Sequence, residues 1–319
     1  MIFKHILMCR PKYFDVVHYK LNSHMLMEKN VNKKLALHQW MSLRDNIERC
    51  DVKVDFIKPK KDLVDMVFAA NGALIYKNKA IVSKFNADPR KPETLQYFKF
   101  FDNKNYETHI TSVDFEGAGD GLFSHDKKHL WLGHGFRTFK DSHLEVKSIL
   151  DDDKLNIHSL ELANELWYHL DTCFCPIGHN DVLVYDKAFT KESLHKIYDV
   201  YGEHNCILVS DEDASNFACN SISLKNHENS IATIIGNRFT SDLRYKFFDL
   251  NYSVVENDMS EFLLSGGSTK CCILDIEKDF DYYEDLFGNK IFPNNENKNN
   301  KYYNEDKDYI VGNDMLIHG

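Results

Sequence analysis

The sequence predicts an α/β protein assembled from repeated strand–helix–strand units that close into a ring or propeller. Three observations carry that expectation. Segments of one grammar, a polar or small motif followed by two apolar runs, recur five times at intervals of about 50 residues. In four of them a cluster of Asn, Asp, Gly or Lys separates the apolar runs, which is how a β-hairpin reads. Between the segments lie stretches whose apolar residues fall at helical spacing. A ring sets equivalent ends of its units around one axis, so residues remote in sequence converge there.

The chain opens on an apolar stretch, Met1 to Arg10, interrupted by Lys4 and His5 and stopped by Pro11. It reads as a buried first strand rather than a signal peptide. Leu35, Leu37, Trp40, Leu43 and Ile47 then share one face of a helix. The five repeats are 65–82 (DMVFAANGALIYKNKAIV), 116–132 (EGAGDGLFSHDKKHLWL), 169–184 (HLDTCFCPIGHNDVLV), 219–235 (CNSISLKNHENSIATII) and 267–276 (GSTKCCILDI). The last is short, and the N-terminal strand is expected to complete it. Leu160, Leu162, Leu166 and Trp167 suggest a second helix. Leu194, Ile197, Tyr198 and Tyr201 suggest a third, with Thr190 as its N-cap and Glu192 nearby. Residues 1–288 read as a single catalytic domain. From 289 to 319 Asn, Lys and acidic residues displace the aliphatics, as expected of an Asn-rich, mobile tail.

Composition narrows the function classes. With 43% hydrophobic residues, 28% charged residues, 22 Phe and 16 Tyr, a soluble globular protein with a sizeable core is expected. A formal charge of −10 argues against nucleic acid as a partner, because phosphate contacts need clustered Lys and Arg. No apolar run approaches the roughly 18 residues of a membrane span. Eight cysteines without a secretory signal suggest free thiols in a reducing compartment, so a cytoplasmic location is expected.

Several residues could do chemistry. Cys271 follows the glycine-containing turn LSGGSTK, which would expose a side chain at a strand end and free backbone N–H groups. The competing reading makes Cys271 and Cys272 two small buried hydrophobes. His169 and Asp171 stand at i and i+2, on one face if the segment is a strand, where a base beside a carboxylate is useful; a structural histidine with a capping Asp reads the same. Cys173 and Cys175 follow, but ligands this close along one strand cannot surround an ion, so no metal site is expected. Glu116 begins EGAGD, whose glycines lack the spacing of a phosphate loop. Arg137, in GHGFRT, could pair with a carboxylate or simply decorate a hairpin. Asp65 and Asn71 flank Phe68, whereas Arg90, between two prolines, reads only as a loop residue.

Taken together, DMVFAAN (65–71), FEGAGD (115–120), GFRT (135–138), HLDTCFCP (169–176), FACN (217–220) and SGGSTKC (265–271) resemble the guanidino-group-modifying (pentein) superfamily. The similarity is greatest to the arginine dihydrolase catalytic domain, beside dimethylargininases and amidinotransferases, and runs from about Arg10 to Leu274. It implies a five-bladed, pseudo-symmetric α/β propeller of ββαβ-type units and no cofactor. It also implies roles: Cys271 as nucleophile, His169 as general acid and base, and Glu116 as the carboxylate partnering the histidine. Asp65 and Asp171 would grip the guanidinium with Phe68 stacked on it, Arg90 and Arg137 would read the substrate α-carboxylate, and Asn22 would contact the amino-acid end.

Within the superfamily the pair at 65 and 71 separates reactions. Deiminases tend to carry Asn then Asp and dimethylargininases Asp then Asp; Asp65 then Asn71 is the order of arginine dihydrolases. The resemblance therefore implies conversion of arginine to ornithine, ammonia and carbon dioxide through a covalent amidino-thioether on Cys271. The alternatives are a deiminase or dimethylargininase giving citrulline, an amidinotransferase, or a pentein binding module without catalysis. The implied partner is a small molecule, arginine or methylated arginine, with neither nucleic acid nor membrane, and the chain is open to homo-oligomer formation. The cyanobacterial enzymes carry a further C-terminal domain where this sequence has its Asn-rich stretch.

Overall fold

The computed structural model describes residues 5–17, 21–25, 30–178, 180–225 and 232–276, and beyond them only the backbone of two short strands, Tyr283–Glu284 and Lys290–Ile291. Five three-stranded sheets organise the described chain. Ala73–Tyr76, Lys79–Val82 and Glu107–Ile110 form one. Gly121–Phe123, His129–His134 and Asn156–Glu161 form the next. Phe174–Pro176, Val182–Val184 and Cys206–Leu208 follow, then Ile222–Lys225, Ala232–Gly236 and Ser253–Glu256. In each, the first two strands are antiparallel and the third lies parallel to the second. A parallel neighbour needs a long crossover, and a helix supplies it: Glu93–Asn103, Ser142–Leu150, Lys191–Tyr201 and Ser241–Asp249 respectively.

The fifth sheet takes its strands from both ends of the repeat array. Leu274–Asp275 pairs antiparallel with His5–Cys9, setting Leu274 opposite Leu7, and His5–Cys9 runs parallel to Lys53–Ile57 across the helix Lys33–Glu48. The short fifth repeat is thus completed by the N-terminal strand. His5–Cys9 is buried along its whole length, as a central strand covered on both faces must be. The third strands Glu107–Ile110 and Ser253–Glu256 are partly or fully exposed throughout.

Local chemistry explains the helices. Asn32 caps Lys33–Glu48 by accepting from Leu35 N, and Thr190 caps Lys191–Tyr201 by accepting from Ser193 N, as its sequence suggests. The first helix buries Ala36, Trp40, Leu43 and Ile47 in a core shared with Ile6, Phe14, Ile235 and Phe262. The helix expected from Leu160, Leu162, Leu166 and Trp167 does not form. Leu160 lies in the strand Asn156–Glu161 opposite Gly133, Leu162 N donates to His134 O, and Glu165–Trp167 is a single 3-10 turn. Two of those leucines obey the strand period, and the sheet beside them offers backbone partners that a helix would forgo. The sequence reading passed over Glu93–Asn103, Ser142–Leu150 and Ser241–Asp249. Each buries essentially one i, i+4 pair of apolar residues (Tyr97 and Phe101, Val146 and Leu150, Leu243 and Phe247), too narrow a stripe to stand out.

The segments leading into the sheets are tight turns. Val64–Val67 and Ala69–Gly72 are 3-10 turns, Gly117–Asp120 is one helical turn, and Leu170–Thr172 and Lys270–Cys272 are again 3-10. His169 and Asp171 therefore do not share a strand face, which corrects that expectation, and Cys271 and Cys272 both lie in a 3-10 turn. All eight cysteines are free and buried. No helix among the described residues is long and apolar enough to cross a membrane. Of the stretch 289–319, Lys290–Ile291 pairs antiparallel with Tyr283–Glu284, and the remainder lies outside the described residues.

Burial separates two aromatic side chains on surface helices. Trp40 is fully buried whereas Phe248 is 76% exposed. Trp40→Ala is expected to lower unfolding free energy by about 3–5 kcal/mol, and Phe248→Ala by no more than about 0.5 kcal/mol, in urea titrations of the two variants.

Candidate active site

Four of the turns leading into the sheets, with the loop 217–221, carry the polar residues that meet at one small cavity, and glycine is what lets them approach. A Cβ on Gly267 would lie 2.2 Å from Phe68 Cε1, so only glycine admits the Phe68 ring against the turn before Cys271. A Cβ on Gly119 would lie 2.1 Å from Asn71 Nδ2. Cys271, His169, Asn71, Phe68, Arg90, Arg137 and Asn22 all line this cavity, together with Tyr168 and the Ser265–Gly267 turn.

Cys271 is held by an amide. Asn220 Oδ1 accepts from Cys271 N at 3.1 Å, while Asn220 Nδ2 donates to Cys271 Sγ at 3.1 Å and to Asp171 O at 3.0 Å. The thiol in turn lies 3.4 Å from Asp171 Oδ2 and donates to it. Burial and the adjacent Asp171 push the thiol well above its ordinary range. Burial likewise pushes Asp171 up to about 6, against the pull of the buried Lys270. Its other oxygen, Oδ1, has no hydrogen-bond partner among the described residues.

Glu116 is fully buried and joins a histidine to an arginine. Its Oε2 lies 2.8 Å from His169 Nε2, and Arg137 reaches the two oxygens through Nε and Nη2, each at 2.9 Å. Burial alone would raise this carboxyl, but the Arg137 charge and the His169 hydrogen bond outweigh it and hold Glu116 well below the usual carboxylate range. Asp120 stands behind the pair, 3.9 Å from His169 Nε2, accepting from Thr138 Oγ1 at 2.6 Å and from Leu170 N at 2.9 Å. Burial lifts it to about 6.

The remaining expected residues are present, with partners of their own. Asp65 is buried and accepts from Ser265 Oγ at 3.4 Å. Arg90, which sequence left as a loop residue, is 2% exposed; it holds Glu93 through Nε and Nη2 and donates from Nη1 to Asn71 Oδ1 at 2.8 Å. Arg137 donates from Nη1 to Leu21 O at 3.3 Å in addition to gripping Glu116. Asn22 donates to Ser265 O at 2.9 Å, although Tyr19 and Lys20 of the YKLN motif lie outside the described residues. Both arginines thus face the cavity while engaged with internal carboxylates.

Sequence reasoning missed Asn220, Asp120 and Tyr168. The first two sit in the motifs FACN and EGAGD just before a strand, where the other repeats place their candidate site residues, so the repeat register was their signal. Tyr168 donates to Gly266 O at 2.8 Å and had none. Around the cavity five buried carboxylates (Asp65, Glu93, Glu116, Asp120 and Asp171) stand against three buried cations (Arg90, Arg137 and Lys270). Such a site favours a cation that can donate several hydrogen bonds. Among the described residues no group of three or more His, Cys, Asp or Glu could hold a metal ion.

Comparison with known proteins agrees with this chemistry. A family model described as N,N dimethylarginine dimethylhydrolase, eukaryotic, matches residues 11–278. The bifunctional arginine dihydrolase/ornithine cyclodeaminase ArgZ of Synechocystis is 36% identical over 274 residues, 84% of this chain and 37% of that protein. The chain thus spans little more than a third of that relative's length. The N(G),N(G)-dimethylarginine dimethylaminohydrolase of Mycobacterium tuberculosis is 31% identical over 266 residues, 83% of this chain and 84% of that one. Among solved structures, the N-terminal domain of ArgZ, described as an arginine dihydrolase from the ornithine–ammonia cycle in cyanobacteria and bound there to substrate, superposes with a TM-score of 0.78 at 35% identity, covering 85% of this chain and 97% of that domain. The chain belongs to the N,N-dimethylarginine dimethylhydrolase family, with the arginine dihydrolase domains of cyanobacteria among its relatives.

Proposed function

We propose that this protein is a cysteine-dependent hydrolase of the arginine guanidinium, and that it carries arginine through two hydrolyses to ornithine. The observation that carries the reading is the Cys271–Asp171 contact, in which a buried thiol lies against a carboxylate whose second oxygen has no hydrogen-bond partner among the described residues. A buried acceptor left open costs about 1–3 kcal/mol, and a guanidinium N–H would satisfy it. Asp65 supplies the second carboxylate of the grip and Phe68 the flat face on which the planar cation stacks.

The chemistry follows from charge. A guanidinium is a weak electrophile because its charge is spread over three nitrogens. Seated beside Asp171 it offsets the negative potential that keeps the thiol protonated, and the thiolate becomes accessible. The thiolate attacks the central carbon, and His169 protonates one departing nitrogen, which leaves as ammonia. His169 then takes a proton from water, the hydroxide adds to the amidino-thioether, and the thiolate departs from a ureido product. Asn71, a neutral amide, both donates and accepts, so it can hold the uncharged ureido group for a second round. The balance is arginine plus two waters to ornithine, carbon dioxide and two ammonia. Arg90, Arg137 and Asn22 surround the amino-acid end in this reading. The second reading, a dimethylargininase or deiminase that stops at citrulline, is favoured by the family model itself. An amidinotransferase would need an amine acceptor in place of water.

The same reading extends to architecture and place. Five sheets of one ββαβ topology, whose leading turns meet at one cavity, support a five-bladed propeller closed through the sheet shared by both ends of the array. We take 1–288 as one catalytic domain, 289–319 as an appended tail and the cytoplasm as its location.

Arginine incubated with the protein should yield ornithine with ammonia in a two-to-one ratio, followed together with citrulline. Asn71→Asp should halt the reaction at citrulline. Release of citrulline alone by the wild type, with no turnover of added citrulline, would replace this reading with the second.

Cys271→Ser should abolish turnover with the fold intact, because a hydroxyl lacks thiolate nucleophilicity, while Cys272→Ala should retain most of the activity. Turnover by Cys271→Ser above a small fraction of the wild-type rate would remove Cys271 from the role.

The raised thiol has a sign that can be tested without substrate. Below its titration, alkylation of Cys271 by neutral iodoacetamide should rise about tenfold per pH unit. Asp171→Asn removes a group that raises the thiol, so the same rates should appear at lower pH, as read by mass spectrometry of the Cys271 peptide.

A further inference from the structure

The two ends of the Asn71 side chain face different chemistry. Arginine offers only N–H donors, and Arg90 Nη1 lies 2.8 Å from Asn71 Oδ1. That contact sets the orientation of the amide, with its oxygen toward Arg90 and its NH2 away. Arg90 is itself pinned, with Nε and Nη2 on the two oxygens of Glu93 at 3.1 and 2.8 Å and Nη2 also on Asp65 O at 3.1 Å. The Asn71 NH2 consequently points at His169 Nδ1, 3.5 Å away. This is long for a hydrogen bond, but a proton on Nδ1 there would meet another N–H rather than an acceptor. Asn71 is the one hydrogen-bond partner of Nδ1 among the described residues. Across the ring, Nε2 lies 2.8 Å from Glu116 Oε2, an acceptor kept charged by Arg137, with Asp120 Oδ2 further off at 3.9 Å. The Tyr168 ring lies 4.9 Å from the imidazole between centroids, edge to face, and its hydroxyl donates to Gly266 O.

We propose that Arg90, acting through Asn71, is a positioning residue that keeps the proton off His169 Nδ1, so that the neutral ring carries its hydrogen on Nε2. Both arginines then serve the histidine from opposite sides: Arg137 through Glu116 secures the Nε2 proton, and Arg90 through Asn71 withholds an acceptor from Nδ1. The consequence for the reaction rests on His169 being the general acid and base. Nδ1 is the atom that gives and takes the proton. An Asp at 71 would hold that proton and make a poorer acid, a second reason for an amide there besides its contact with a ureido group.

The test needs no substrate, so it stands or fails separately from the arginine reading. In histidine-15N-labelled protein the His169 ring signals are identified by their loss in His169→Gln and followed across pH. The neutral form should show a protonated Nε2 and a bare Nδ1. In Asn71→Asp, a nearly isosteric change, the titration midpoint should rise by about one unit or more, and the neutral ring should move its proton toward Nδ1. Arg90→Lys, which keeps the charge but loses the rigid fork, should let the amide turn over and populate the Nδ1–H form. A wild-type neutral ring protonated on Nδ1 would overturn the proposal. Spectra of both variants indistinguishable from wild type would overturn it equally, and if Arg90→Lys fails to fold, Asn71→Asp alone decides.

Discussion

The buried carboxylate of Glu116 is the constraint on which the site depends. It accepts hydrogen bonds from Arg137 Nε, from His169 and, at 3.2 Å, from Asn86 N, and Arg137 Nη2 forms an ion pair with it at 2.9 Å. A charge this deep is tolerated only because each lone pair is occupied; removing one partner of such a group costs about 3–5 kcal/mol, since the other is left buried and unpaired. The geometry is therefore rigid. Arg137 follows the middle strand of one sheet, Glu116 leads into that sheet and His169 leads into the next, so one carboxylate ties two neighbouring units together.

Rigidity of the backbone comes from elsewhere. Each unit returns through a helix to place its third strand parallel to its second, which leaves the turn before the first strand free to project residues toward its neighbours. Those turns are short, 3-10 or a single helical turn, and glycines at 119 and 267 leave room for the side chains of Asn71 and Phe68. Asn220 shows the result: a single amide from the fourth unit grips the backbone and the sulfur of Cys271 in the fifth and the backbone of Asp171 in the third.

Electrostatics then links the scaffold to chemistry. The cavity gathers more buried carboxylate than buried cation, and burial raises Asp120 and Asp171 to about 6 and Glu93 to about 7. Burial first, and the carboxylate of Asp171 after it, hold the Cys271 thiol above its ordinary range. Asp171 sits at the centre of this coupling because it touches the sulfur and its Oδ1 has no hydrogen-bond partner among the described residues.

By itself the sequence determined the period of the array, the apolar strands, the first helix and the cap at Thr190, which are properties of spacing and of residue type. Cys271, His169, Glu116, Asp65 and Asp171 were expected as a set only through the resemblance of their motifs to a family, which needs no coordinates. The sequence did not reveal helices that bury only one apolar pair, nor distinguish the strand at Leu160 from a helix, because two leucines two apart fit either until a neighbouring strand offers its hydrogen bonds. The tertiary structure alone decided partnerships. Arg90 became a buried brace when its guanidinium met Glu93 and Asn71, Arg137 became the counter-charge of Glu116, and Asn220 entered the site through a contact 51 residues from Cys271. Which carboxylate an arginine meets is set by the packing of separate units, and no local rule of sequence contains that distance.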